Sequence, residues 1–166
     1  MSAAASAGRV EARMAELGLA LPEVPAPAGT YVPALIDGTH VWTSGQLPFV
    51  DGALPSTGKV GHGEGLVAPE LAQQLAATCV LNALAAIKGQ IGDLDRITRV
   101  VKLVGFVSSD PSFTEQPGVI NGASDLLGEL LGQAGVHARS AVGVPVLPLD
   151  APVEVELLVE VADGSA

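Results

Sequence analysis

Alternation is strictest near the end of the chain. Across residues 153 to 161 (VEVELLVEV), Val153, Val155, Leu157, Val159 and Val161 fall on one side of an extended strand, with Glu154, Glu156, Leu158 and Glu160 on the other. Elsewhere the period lengthens. From residue 69 to about 90, Leu71, Leu75, Cys79, Val80, Leu84 and Ile87 form a wide apolar stripe. Pro69 stands at the start of that run and Gly89 and Gly92 near its end, so the pattern predicts a helix lying across a sheet. A second such helix is predicted from about 118 to 133. A shorter amphipathic one, packed on the main body, is predicted over 6 to 17, where Val10, Met14 and Leu17 share a face and Gly18 is the stop.

The remaining runs are β-like. TRVVKLVGFVSS, residues 98 to 109, is rich in β-branched side chains, and a further strand is predicted over 137 to 146. YVPALI and HVWTSGQLPF flank Asp37-Gly38, a strong hairpin signal. LPEVPAPAG, with three prolines in six residues, reads as a stiff extended linker. Residues 51 to 68 are dense in Gly and Pro and read as a long loop, flexible over 58 to 65. The order helix, β-β, helix, β, helix, β-β predicts an α+β fold, one mixed sheet with helices on one side and an uncovered face in need of a partner. The expected division is a helix and linker over 1–27, then one domain over 28–166.

Composition narrows the function. The 166 residues suit one domain with a real core, and with few aromatics that core must rest on small and branched aliphatics. A net charge of −10 with no Lys/Arg cluster argues against nucleic acid as a partner. The same field opposes acidic metabolites, so a site for one needs its own cation. Cys79 is the only cysteine, which excludes an internal disulfide and any multi-Cys metal site. His40, His62 and His137 have no metal-ligand spacing, and neither a nucleophile elbow nor a phosphate loop occurs. No cofactor or metal is expected. Without a signal peptide or an uninterrupted apolar run of 18 residues, the expectation is a cytoplasmic protein with no membrane partner.

One cation is conspicuous. Arg139 sits in HARSAVGVPV among small and apolar residues, although the chain has only eight basic side chains. A buried guanidinium has to meet an anion. Two readings stay open: a carboxylate ligand, or a salt bridge with a strand acid such as Glu156 or Glu160, across subunits. His137, two residues away, should point to the same side of the strand and serve a local hydrogen bond.

With Tyr31, VWTSGQLP at 41 to 48, HARSAVGVPVLP at 137 to 148 and VEVELLVEV in view, the chain resembles the Rid family over roughly residues 28 to 162. These are the reactive-intermediate deaminases, also called YjgF-like or L-PSP endoribonuclease-like proteins. The resemblance implies a chorismate-mutase-like fold, a six-stranded sheet backed by two helices. It also implies a homotrimer with an inner β-barrel and clefts between subunits. By the same resemblance, Arg139 of the ARS motif grips the carboxylate of a 2-imino or 2-enamino acid, and Glu154, fifteen positions on, directs the hydrolytic water. Tyr31, Ser44 and Asn121 match the family's ligand-binding positions.

The bland alternatives are specific. Tyr31 can pack at the hairpin base, and Ser44 can bond a neighbouring backbone group. Gly45 suits close backbone approach or a bulge. Asn121 suits a helix N-cap. The pattern also departs from the family's: Ala141 replaces a frequent Cys or Thr and offers only its backbone, the spacing from Phe113 to Asn121 is stretched, and Ser124 replaces an aromatic. The expected function is hydrolysis of reactive imino or enamino acids to 2-oxo acids and ammonia, of the 2-iminobutanoate/2-iminopropanoate deaminase type. The alternative is a non-catalytic trimer that binds a small carboxylate, with ribonuclease activity a distant third.

Overall fold

A computed structural model describes residues 8–24 and 29–163. Its elements are α1 (Arg9–Glu16), β1 (Ala34–Asp37), β2 (His40–Thr43), α2 (Pro69–Ile91), β3 (Ile97–Ser108), α3 (Gln116–Leu131), β4 (Ala138–Val144) and β5 (Val153–Val161). They form one mixed sheet in the order β1-β2-β5-β3-β4. All pairs are antiparallel except β3 with β4, which run parallel. Among the described residues the sheet has five strands, not the six that the family resemblance implies. Just past the end of β2, the chain meets β5 through an isolated bridge, Gln46 to Val155.

The hairpin forms as its sequence requires, with one adjustment: Asp37 pairs with His40, so the turn residues are Gly38 and Thr39, and Gly38 takes φ +59°. Parts of the predicted 6–17 helix and of the Pro-rich linker lie outside the described residues. In α1, Val10 and Met14 enter the same core as the rest of the chain. Asp95 anchors the start of this helix by accepting from the N–H groups of Arg9 and Val10 at 2.7 and 2.9 Å. Glu11 and Lys88 add an ion pair at 2.8 Å. The 51–68 loop is fastened to the body: Val60 is fully buried, bridges both Val67 and Ser109, and donates to the Ser108 carbonyl.

α2 and α3 cover one face of the sheet. At 23 residues α2 is long and apolar enough to cross a membrane, yet its apolar residues are core: Leu84, Ile87, Val80 and Cys79 are fully buried. α3 comes so near α2 that a Cβ on Gly122 would strike the Gln73 carbonyl. Only glycine allows that crossing. Val100, Leu103, Val107, Val155 and Val159 fill the space beneath the helices. The other face is open, with Leu35, Trp42 and Val142 exposed on it and Val104, Phe106 and Leu158 half-buried.

Candidate functional site

Register decides where each candidate points, because directly paired residues share a face of the sheet. Arg139 pairs with Leu103, which pairs with Leu157 on its other side, and both leucines are buried under the helices. Arg139 is therefore on the helix side, at the outer edge strand. Glu154 pairs with Phe106, and Phe106 with Val142, all on the open face. Within one chain Arg139 and Glu154 thus lie on opposite faces with β3 between their strands. They do not confront each other as neighbouring walls of one cleft.

The Arg139 half belongs to β4 and α3. Its Nη1 donates to Asn121 Oδ1 at 2.8 Å and to Ser124 Oγ at 3.2 Å, and its Nη2 donates to the Pro117 carbonyl at 3.3 Å. All three acceptors are neutral. No acid of the described chain lies within ion-pair distance, so neither Glu156 nor Glu160 of the same chain neutralises it. The guanidinium is partly exposed rather than sealed in the core, which lowers the cost of leaving it without a fixed anion. Of its five N–H groups, the Nε–H and one of the two on Nη2 keep no protein acceptor among the described residues, and two N–H groups on neighbouring nitrogens are what a carboxylate needs for a bidentate pair.

Asn121 is not an N-cap. α3 starts at Gln116 with Glu115 ahead of it, so Asn121 is well inside the helix and its amide oxygen is turned to Arg139. Ala141 follows Arg139 on the same side, packed against the core, and only its main chain can serve a ligand. Sequence reasoning missed Ser124 as a partner, although its unusual place after Asn121 was the available signal. His137 has the local role expected of it, bonding Ser124 Oγ at 2.9 Å and the Gly135 carbonyl at 2.6 Å.

The Glu154 half belongs to β5 and the end of β2. From Trp42–Leu158 to Gln46–Val155 the chain advances four residues on one strand and three on the other, so one extra residue is accommodated in the Ser44–Gly45 region. Gly45 makes room there, because a Cβ on it would fall on the Glu154 carboxylate and push that side chain aside. Burial pushes the Glu154 carboxyl above its ordinary range, and the charge of Glu156 adds to the rise; burial raises Glu156 as well. Ser44 Oγ donates to the Val32 carbonyl at 2.6 Å, the backbone role weighed for it. Tyr31 is half exposed on the segment leading to β1. The structure therefore groups Asn121, Arg139 and Ala141 in one region. It groups Glu154 with Gly45, next to Ser44, in another.

The chain thus folds as an α+β sheet with one open face, with a guanidinium at its edge and a carboxyl raised by burial on the open side. The family description "YjgF/chorismate mutase-like, putative endoribonuclease" matches residues 11–161. Protein TCP17 of Trypanosoma cruzi is 48% identical over 161 residues, 96% of this chain and 98% of that protein. The crystal structure of protein Atu1372 from Agrobacterium tumefaciens, whose function is described as unknown, superposes with a TM-score of 0.84 at 45% identity and covers 93% of both chains. RidA from the Antarctic bacterium Psychrobacter sp. superposes with a TM-score of 0.57 at 26% identity, over 84% of this chain and 94% of RidA. The chain belongs to the YjgF/chorismate-mutase-like family.

Proposed function

We propose that the protein hydrolyses reactive 2-imino and 2-enamino acids to 2-oxo acids and ammonia, in clefts between the subunits of a homotrimer. The observation that carries this reading is the Arg139 fork. Three neutral acceptors hold it, its side-on edge is left for a carboxylate, and the chain's net charge of −10 gives an acidic metabolite little other reason to bind. With the carboxylate fixed, C2 of the protonated imine is electrophilic. Glu154 takes a proton as water adds to C2, forming a carbinolamine. It returns that proton to nitrogen, and as the C–N bond breaks the hydroxyl proton passes to Glu154 and on to the departing ammonia, leaving the 2-oxo acid and ammonium. A carboxyl lifted by burial is suited to both transfers.

The separation of the two halves supports a site shared between subunits, with Arg139, Asn121 and Ala141 supplied by one chain and Glu154, Gly45, Ser44 and Tyr31 by the next. The open face, where Leu35, Trp42 and Val142 are exposed beside the β5 glutamates, offers the surface for such assembly. The test is ammonia release from enzymatically generated 2-aminoacrylate. Acceleration by the wild type, lost in Arg139→Ala, is expected, and no acceleration over buffer across several amino-acid-derived imines would remove the proposal.

A second reading, a trimer that binds a small carboxylate without turnover, is favoured by Ala141, whose methyl faces the core where a polar side chain would serve chemistry. Carboxylate binding at Arg139 with no turnover would select it. RNA cleavage ranks third, because the acidic chain opposes polyanions.

A further inference from the structure

His137, Ser124 and Arg139 form a chain of hydrogen bonds that starts at the Gly135 carbonyl. The Gly135 carbonyl, 2.6 Å from His137 Nδ1, can only accept, so Nδ1 carries a proton. In the Nδ1–H tautomer His137 Nε2 presents a lone pair, and Ser124 Oγ, 2.9 Å away, donates to it. With its hydrogen committed to the ring, the Ser124 oxygen faces Arg139 with lone pairs only and accepts from Nη1 at 3.2 Å. Asn121 Oδ1 accepts the other Nη1 hydrogen at 2.8 Å. Nη1 is thereby fully occupied, and the guanidinium cannot turn that end to a ligand.

We propose that His137 and Ser124 are positioning residues that hold the Arg139 fork with its Nε/Nη2 edge outward, restricting the site to one side-on carboxylate. Neither touches the ligand. This rests on Arg139 being the carboxylate anchor. An isolated arginine side chain samples many rotamers, and ordering it on binding would cost affinity; the relay orders it beforehand. Thr at position 124 keeps the hydroxyl and its direction, whereas Ala removes the acceptor for Nη1 and leaves the imidazole without a donor.

The experiment measures calorimetric affinity for 2-oxobutanoate in the wild type and in the Arg139→Ala, Ser124→Ala, Ser124→Thr and His137→Phe variants. Imidazole ¹⁵N spectra of the same proteins report the His137 tautomer. Expected are loss of binding in Arg139→Ala and roughly tenfold weaker binding in Ser124→Ala and His137→Phe, with recovery in Ser124→Thr. The spectrum should show an Nδ1–H ring whose Nε2 signal moves in Ser124→Ala. If the wild type binds through Arg139 and Ser124→Ala binds equally well, the positioning role fails while the anchor stands. If the wild type shows no Arg139-dependent binding, the anchor itself fails and the relay with it.

Discussion

The β4–α3 edge and the β2–β5 junction solve opposite problems. At the first, a permanent cation is kept partly exposed and surrounded by neutral oxygens from Asn121, Ser124 and Pro117, so its charge stays available. At the second, a carboxylate is half-buried against a glycine with a second acid nearby, so burial first and the neighbouring charge second disfavour its ionised form. Neither arrangement is what stability alone would select. A fixed ion pair would serve Arg139 better, and a neutral side chain would serve position 154 better. In the proposed reaction the first region binds and the second transfers protons.

The most damaging changes should separate those roles. In the imine assay, Glu154→Gln should lower kcat by roughly 10²- to 10⁴-fold and leave binding of a 2-oxo acid intact. Arg139→Ala should abolish binding as well as turnover. Equal loss of binding in both would merge the two regions into one function. Gly45→Ala comes next: its methyl displaces the Glu154 carboxylate, so turnover should fall about tenfold or more while binding persists. Unchanged kinetics in a folded Gly45→Ala protein would show that the carboxylate's seat against Gly45 is immaterial.

The carboxylate should also mark the pH dependence of stability. Because its native pKa is raised, the folded chain holds more protons than the unfolded chain between the ordinary carboxylate value and the raised one. Unfolding free energy therefore falls as pH rises through that window. Thermal melting of the wild type should decline there, and Glu154→Gln should flatten the decline and melt higher at neutral pH. The opposite slope would contradict the burial assigned to this group. The smallest effect serves as a control away from both regions. Asp95→Ala removes the acceptor at the start of α1 and should cost about 1 kcal/mol in chemical denaturation with turnover unchanged.

Much of this contrast was legible along the chain. The five apolar and four outward positions of 153–161 fixed β5 and its two faces, and the apolar stripe of 69–90 marked α2 to within a residue. Gly45, a glycine in a strand-like run, marks a bulge or close approach, and the structure has both there. What the sequence withheld depends on tertiary placement. Arg139 and Glu154 are fifteen residues apart on successive strands, and nothing local reveals that β3 is inserted between those strands or that register sends the two side chains to opposite faces. The N-cap reading of Asn121 failed because Pro117 opens α3 earlier, leaving Asn121 a turn inside and free to reach across to β4. Buried Val60 likewise sits in a stretch whose glycines read as mobile, since one anchoring valine carries no periodic signal.

Complementation between inactive chains tests the shared site most directly. Arg139→Ala and Glu154→Gln chains, each inactive alone, are co-assembled in equal amounts, with mixed trimers verified by native mass spectrometry. If each site takes Arg139 from one subunit and Glu154 from its neighbour, one in two subunits supplies each intact half, and roughly a quarter of wild-type imine hydrolysis should return. Mixed trimers that remain inactive would contradict the division of the site between chains.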